Sequence, residues 1–102
     1  MSDPRTAQCN VTAAYDLARG LVEQGISGVV VSPGSRNTPL VLAFEEVATH
    51  DICVVLDERA AGFVALGMAR ASGKPAVLVC TSGSAGAHYL PAVIEARYGR
   101  VP

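Results

Sequence analysis

Large aromatic side chains are scarce in this chain of 102 residues, which holds three tyrosines, two phenylalanines and no tryptophan. The core must therefore be built from alanine, valine and leucine, and a chain this short buries only about 60–68% of its unfolded surface. Marginal stability follows. Cysteine is also rare, with Cys9, Cys53 and Cys80 far apart. No Cys-x-x-Cys occurs, no histidine is spaced to complete a zinc site, and an odd count argues against a disulfide framework. Cys53 and Cys80 fall inside apolar runs and read as buried, reduced thiols. An excess of either charge is missing, since 8 basic and 9 acidic residues leave a formal charge of −1. That balance excludes a strongly basic nucleic-acid binder, and no Lys/Arg cluster is long enough for a polybasic membrane patch. Long apolar runs are absent too. The longest uncharged one, Ala60–Ala69, is far below the roughly 18 residues that a membrane span needs. The start, Met1-Ser2-Asp3-Pro4-Arg5, lacks the apolar stretch of a signal peptide, and the chain reads as cytoplasmic.

What is present is regular. Half of the residues are apolar, too many for a disordered segment. Three β-branched runs recur about 24 residues apart: Gly28–Ser32, Ile52–Leu56 and Ala76–Cys80. Each is nearly continuous in apolar residues, as expected for strands buried on both faces of a parallel sheet. Helical segments lie between them. Asn10 can cap a first helix with Val11, Ala14, Ala18, Leu21 and Val22 on one face, stopped by Gly25. A second runs from about Pro39 to Ala48, and a third begins after the cap Asp57 and ends at Gly73-Lys74-Pro75. A fourth covers Ala85 to Tyr98. The order α-β-α-β-α-β-α predicts a doubly wound α/β fold, a mostly parallel sheet with helices on both faces. Residues 1–102 read as part of one domain, because another strand is due after Gly99-Arg100-Val101-Pro102.

In an open parallel sheet, ligands bind beyond the carboxyl ends of the strands, and the polar and glycine-rich residues collect there. After the first strand comes Ser32-Pro33-Gly34-Ser35-Arg36-Asn37-Thr38-Pro39, after the second Asp57-Glu58-Arg59, and after the third Thr81-Ser82-Gly83-Ser84. The first loop sets a hydroxyl and a guanidinium at a helix N-terminus, which suits a carboxylate or phosphate. The plainer alternative is that Ser35 and Asn37 cap the helix while Arg36 is solvated. In the second loop, Asp57 caps, and Glu58 either complements the helix dipole or faces a flat ligand over the small residues Ala60, Ala61 and Gly62. The third loop has the strand–turn–helix form of a nucleophile elbow around Ser84, but Ser82 stands where that motif requires glycine. A serine hydrolase using Ser84, with His88 one helical turn beyond, is therefore a weak alternative. A non-catalytic assembly or binding module is another. His50 reads as a solvated residue at a helix end.

Taken together, Ser32-Pro33-Gly34-Ser35-Arg36-Asn37-Thr38-Pro39-Leu40, Asp57-Glu58-Arg59-Ala60-Ala61-Gly62, Thr81-Ser82-Gly83-Ser84-Ala85 and Pro91-Ala92-Val93-Ile94-Glu95-Ala96 closely resemble the start of the 2-succinyl-5-enolpyruvyl-6-hydroxy-3-cyclohexene-1-carboxylate synthases of menaquinone biosynthesis. The match runs from about Val11 to Pro102. The resemblance implies a thiamine-diphosphate-dependent transferase, of which these residues form the N-terminal portion of the pyrimidine-binding domain. The middle and diphosphate-binding domains, with the Mg2+ ligands, would lie elsewhere. It implies that Glu58 is catalytic and cofactor-binding, holding a hydrogen bond to the aminopyrimidine ring. Thr81, Ser82 and Gly83 would lie near that ring, and Ser35 and Arg36 would bind a substrate carboxylate. The substrates implied are 2-oxoglutarate, which is decarboxylated, and isochorismate, which receives the succinyl unit. A homo-oligomer is implied for the complete protein, and inactivity for this portion alone. Ser84 and His88 depart from the threonine and asparagine expected of the family.

Overall fold

The computed structural model describes residues 3–47 and 52–102. Helix α1 (Pro4–Gln24) begins earlier than its apolar periodicity suggests. Asp3 accepts a hydrogen bond from the Arg5 amide at 3.1 Å, and Pro4 fills the first turn. An aspartate followed by proline is a complete start signal, so Asn10 lies inside the helix rather than at its cap. Ala14 and Ala18 face the core as expected, whereas Val11 is 58% exposed. The helix stops at Gly25.

Strands β1 (Val29–Val31), β2 (Ile52–Val54) and β3 (Val77–Val79) form a parallel sheet in the order β2-β1-β3. Helix α2 (Thr38–Val47) follows a short 3-10 turn at Ser35–Asn37. The expected end of α2 at Ala48, and His50, lie outside the described residues. Helix α3 (Glu58–Ser72) is capped by Asp57, whose Oδ2 accepts from the Ala60 amide at 2.9 Å. It ends at Gly73, in a left-handed conformation (φ 72°) that glycine adopts without a Cβ penalty. The fourth helical segment divides into a 3-10 turn at Ala85–Tyr89 and helix α4 (Leu90–Tyr98). Pro91 sits in the first turn of α4, where its missing N–H leaves nothing unpaired.

The sheet is doubly wound. Val29 and Val31 point to the face covered by α1 and α2, where Ala14, Ala18, Ala43 and Phe44 enclose them. Val30 points to the opposite face, against Ala61 and Ala65 of α3. This is the alternation of a strand with period 2. Only β1 is buried on both faces, which corrects the expectation for all three strands. Val54 of β2 is 62% exposed and β3 is mostly half-buried, because both strands form edges of the described sheet. Cys53 and Cys80 are free and half-buried, and Cys9 is exposed. No described helix is long and apolar enough to cross a membrane.

The core is thin in the way the composition implies. Of the 14 buried apolar residues among those described, eight are alanine, and Phe44 is the one large ring among them, at 1% exposure. Truncating Phe44 to alanine should therefore cost about 3–5 kcal/mol. Phe63, 43% exposed, should cost well under half as much on the same change. Urea unfolding of the two variants measures both; similar losses would show that Phe44 does not anchor this layer.

Candidate active site

Parallel pairing sets Val31 opposite Val54 on one side and Val79 on the other, so the three strands end together. The ladder continues one step further. The Ser32 amide donates to the Val79 carbonyl and the Val55 amide to the Val31 carbonyl, each at 2.9 Å. The winding reverses about β1, since α2 leads to the strand on one side of it and α3 leads back to the other. The loops after β1 and β3 thus flank the switch point where open α/β sheets form their crevice.

The loop after β1 is fixed from inside. Ser32 is buried, and its hydroxyl donates to the Val55 carbonyl at 2.8 Å, tying β1 to β2. Asn37 is buried as well, and its Nδ2 donates to the Ser32 carbonyl at 2.9 Å. Asn37 is therefore an internal clamp and not a helix cap, a role that sequence reading missed. The Thr38 hydroxyl donates to the Ser35 carbonyl at 2.8 Å. Held by these bonds, Ser35 and Arg36 stay exposed at the rim. Arg36 borders a shallow groove with Asn10, Ala13, Leu17, Pro39 and Leu40, on the α1/α2 side of the sheet edge. It pairs with no carboxylate among the described residues.

The loop after β3 comes up against the first loop. A Cβ at Gly34 would overlap the Thr81 side chain, whose own Cβ would stand 3.3 Å away. Gly34 is thus a glycine because of close approach, and its extended backbone imposes no such need. Ser82, Gly83 and Ser84 are exposed. Ser84 has an ordinary right-handed backbone (φ −79°, ψ −4°) without elbow strain. Among the described residues it makes no hydrogen bond to His88, so the hydrolase alternative has no geometric support.

Helix α3 brings Glu58 to the same edge. Asp57 uses its carboxylate on the helix end, which leaves Glu58 half-buried in the first turn with no salt-bridge partner among the described residues. Ala61 and Gly62 behind it are buried. A Cβ at Gly62 would stand 2.9 Å from the Ala92 methyl and 3.7 Å from the Tyr89 ring. This absent side chain lets Ala92 of α4 come up against α3, with the Tyr89 ring in ordinary contact beside it. That ring packs against the cluster of Val30, Ala61 and Ala65, and its hydroxyl is buried without a hydrogen-bond partner. Burial first, and the adjoining Cys80 thiol second, push the phenol up to about 12; the Ser32 hydroxyl works against that rise, and the charge of Glu58 adds the smallest part of it. The structure thus sets Tyr89 on the α3 side, against Ala61 and Gly62, with Gly34 against Thr81 at the sheet edge. Arg36 lies toward the other side. Tyr89 was also missed; the signal available was the rarity of aromatics, which makes each ring beside a glycine-rich loop informative.

Comparison with known proteins fits this arrangement. The family profile described as the thiamine pyrophosphate enzyme, N-terminal TPP binding domain, matches residues 11–102. A 2-succinyl-5-enolpyruvyl-6-hydroxy-3-cyclohexene-1-carboxylate synthase of Lysinibacillus sphaericus is 51% identical over 88 residues, covering 86% of this chain and 15% of the relative. The synthase of Synechococcus elongatus is 49% identical over 100 residues, covering 98% and 17%. That of Chloroflexus aurantiacus is 55% identical over 86 residues, covering 84% and 15%. The chain thus spans about a sixth of the length of these curated relatives.

Two outcomes follow from the geometry. Gly34→Ala should destabilise by about 1–3 kcal/mol, the usual range for overpacking, and Thr81→Ser in the same chain should recover part of it by removing the clashing methyl. Additive losses in a double-mutant cycle would show that the two loops do not touch. Tyr89 binds its proton more tightly folded than unfolded, so its contribution is whole below pH 10.0 and lost as pH rises toward about 12. The chain should therefore lose stability over that interval relative to Tyr89→Phe, as equilibrium unfolding at each pH would record.

Proposed function

The chain belongs to the thiamine pyrophosphate enzymes, through their N-terminal TPP-binding domain, and from that premise we propose that it forms the N-terminal portion of the pyrimidine-binding domain of a 2-succinyl-5-enolpyruvyl-6-hydroxy-3-cyclohexene-1-carboxylate synthase. The observation that carries this reading is Glu58, half-buried at the carboxyl edge of the sheet and in no salt bridge among the described residues. The residues present fit the aminopyrimidine half of the cofactor. They offer one carboxyl group, the buried small residues Ala61 and Gly62 beside it, and the hydroxyl-bearing loop Thr81-Ser82-Gly83 across the edge.

In this proposal Glu58 holds a hydrogen bond to the aminopyrimidine ring nitrogen. Bound there, thiamine diphosphate supplies the carbanion chemistry that decarboxylation and carbon–carbon bond formation require. Thr81, Ser82 and Gly83 flank the ring. Ser35 and Arg36, exposed at the rim, receive a substrate carboxylate, for which a guanidinium is suited by its paired donors. The substrates proposed are 2-oxoglutarate, the donor after decarboxylation, and isochorismate, the acceptor. No cluster of three or more His, Cys, Asp or Glu among the described residues could hold a metal, and we place the Mg2+ ligands in the diphosphate-binding part of the protein. The complete enzyme is proposed to be a cytoplasmic homo-oligomer, consistent with exposed Phe63, Val64, Val93 and Ile94 on α3 and α4. The same exposed residues favour the second reading, an assembly module without catalysis.

Glu58→Gln separates the two. In the complete protein it should lower turnover by about 100- to 10,000-fold, the range for loss of a proton-transferring group, with an unchanged circular-dichroism spectrum. Retained turnover would refute the role of Glu58, and a parent protein without turnover would leave the assembly module as the better account. The 102-residue chain by itself, given thiamine diphosphate, Mg2+ and both substrates, should form no product; product in a chromatographic assay would refute the assignment of the remaining machinery to other domains.

A further inference from the structure

Of the four polar side chains from Ser32 to Asn37, two are buried and two are not. Ser32 and Asn37 are 2% and 4% exposed, while Ser35 and Arg36 between them face solvent. A buried amide is tolerated where it is hydrogen-bonded. The Asn37 Nδ2 donates to the Ser32 carbonyl at 2.9 Å and so closes the loop on itself. The backbone bond inside the same turn, from the Asn37 amide to the Gly34 carbonyl, is long at 3.4 Å. The side-chain bond is therefore the firmer tie.

This tie is separable from the rest of the sheet. The Ser32 amide donates to the Val79 carbonyl at 2.9 Å, and its hydroxyl to the Val55 carbonyl at 2.8 Å. Neither bond uses the Ser32 carbonyl, so the strand ends keep their pairing without Asn37. Further along the loop, Gly34 lies against the Thr81 side chain. Arg36 is thus carried between two fixed points, Gly34 two residues before it and Asn37 one residue after it. Its guanidinium forms no ion pair among the described residues, so its direction is set by the backbone that bears it.

We infer that Asn37 is a positioning residue: its buried amide closes the loop on the Ser32 carbonyl and thereby aims the Arg36 guanidinium at a substrate carboxylate, without touching the substrate itself. This rests on the role proposed for Ser35 and Arg36 and adds the residue that sets their aim. A guanidinium gains its full worth on a carboxylate only when both donors meet both oxygens, and a misplacement of about 1 Å can cost roughly 100-fold. The start of α3 is fixed separately, by the Asp57 carboxylate on the Ala60 amide at 2.9 Å. Substrate affinity should therefore depend on Asn37 while cofactor affinity does not.

Steady-state kinetics of Asn37→Ala in the complete protein, beside Arg36→Ala, test this. Arg36→Ala identifies the substrate whose carboxylate the guanidinium receives, by a raised KM. For that same substrate Asn37→Ala should raise KM roughly 10- to 100-fold with kcat nearly kept, the pattern of lost uniform binding. The half-saturating concentration of thiamine diphosphate should stay at the parent value. In the Arg36→Ala background, Asn37→Ala should add nothing to KM, because the group it aims is gone. An unchanged KM in Asn37→Ala would overturn the inference, as would effects that multiply in the double variant. A joint loss of kcat, substrate affinity and cofactor affinity would overturn it too, marking a merely structural role. Asn37→Asp, which keeps the shape and loses the donor, is read on the same scale if the alanine variant does not fold; failure of both to fold would assign Asn37 to the fold alone. If Arg36→Ala raises neither KM, the role of Arg36 falls and takes this inference with it. If Arg36→Ala raises one and Asn37→Ala does not, only the inference about Asn37 falls.

Discussion

Three consecutive valines hold the two layers of this molecule to one another. Val29 and Val31 project into the α1/α2 layer and Val30 into the α3 layer, and all three are buried. No other described strand is closed on both faces, so each helix layer finds its place by packing on β1. The pairing on either side is equally direct, since β1 carries the ladder to both β2 and β3. A polar substitution in this strand would strand an unpaired group in an apolar layer and disconnect both halves, which is the costliest kind of single change.

The candidate site inherits its geometry from that strand. Ser32 continues β1 by one residue, accepting a place in the ladder through its amide while its hydroxyl reaches β2 and its carbonyl receives Asn37. One residue thus fixes the loop on three sides, and Ser35 and Arg36 project from a rigid base. The division of labour between neighbouring carboxylates is of the same kind. Asp57 satisfies the open end of α3, so Glu58 is released from capping even though it sits in the first turn. A cap at Glu58 instead would have consumed the acceptor that a ligand needs.

Much of this was legible in the residues. The β-branched runs marked the strands, Asp57 and Gly73 marked the bounds of α3, and the collection of polar loops marked the edge where the site lies. What stayed hidden depends on neighbours that periodicity does not encode. The start of α1 was misplaced because the apolar stripe begins after Asn10, whereas the backbone responds first to Asp3-Pro4. The exposure of β2 depends on its being an edge, which composition cannot express. Asn37 acts through a bond to Ser32, five residues away, and Tyr89 through packing on Val30 and Ala61, far from it in the chain, and only folding brings them into register. Arg36 and Glu58, adjacent in reasoning from loops, are set toward opposite sides of the sheet edge because α2 and α3 cover opposite faces.

The alanine-rich core bears on the unpaired phenol. Alanine lets helices approach closely but removes little surface from water per residue, so a domain of this size has a net stability of only about 5–15 kcal/mol at best. Leaving a buried hydroxyl unsatisfied costs about 1–3 kcal/mol, a substantial fraction of that total. Phenylalanine would fill the same space between Gly62 and Val30 without the cost. The oxygen of Tyr89 is therefore not explained by packing.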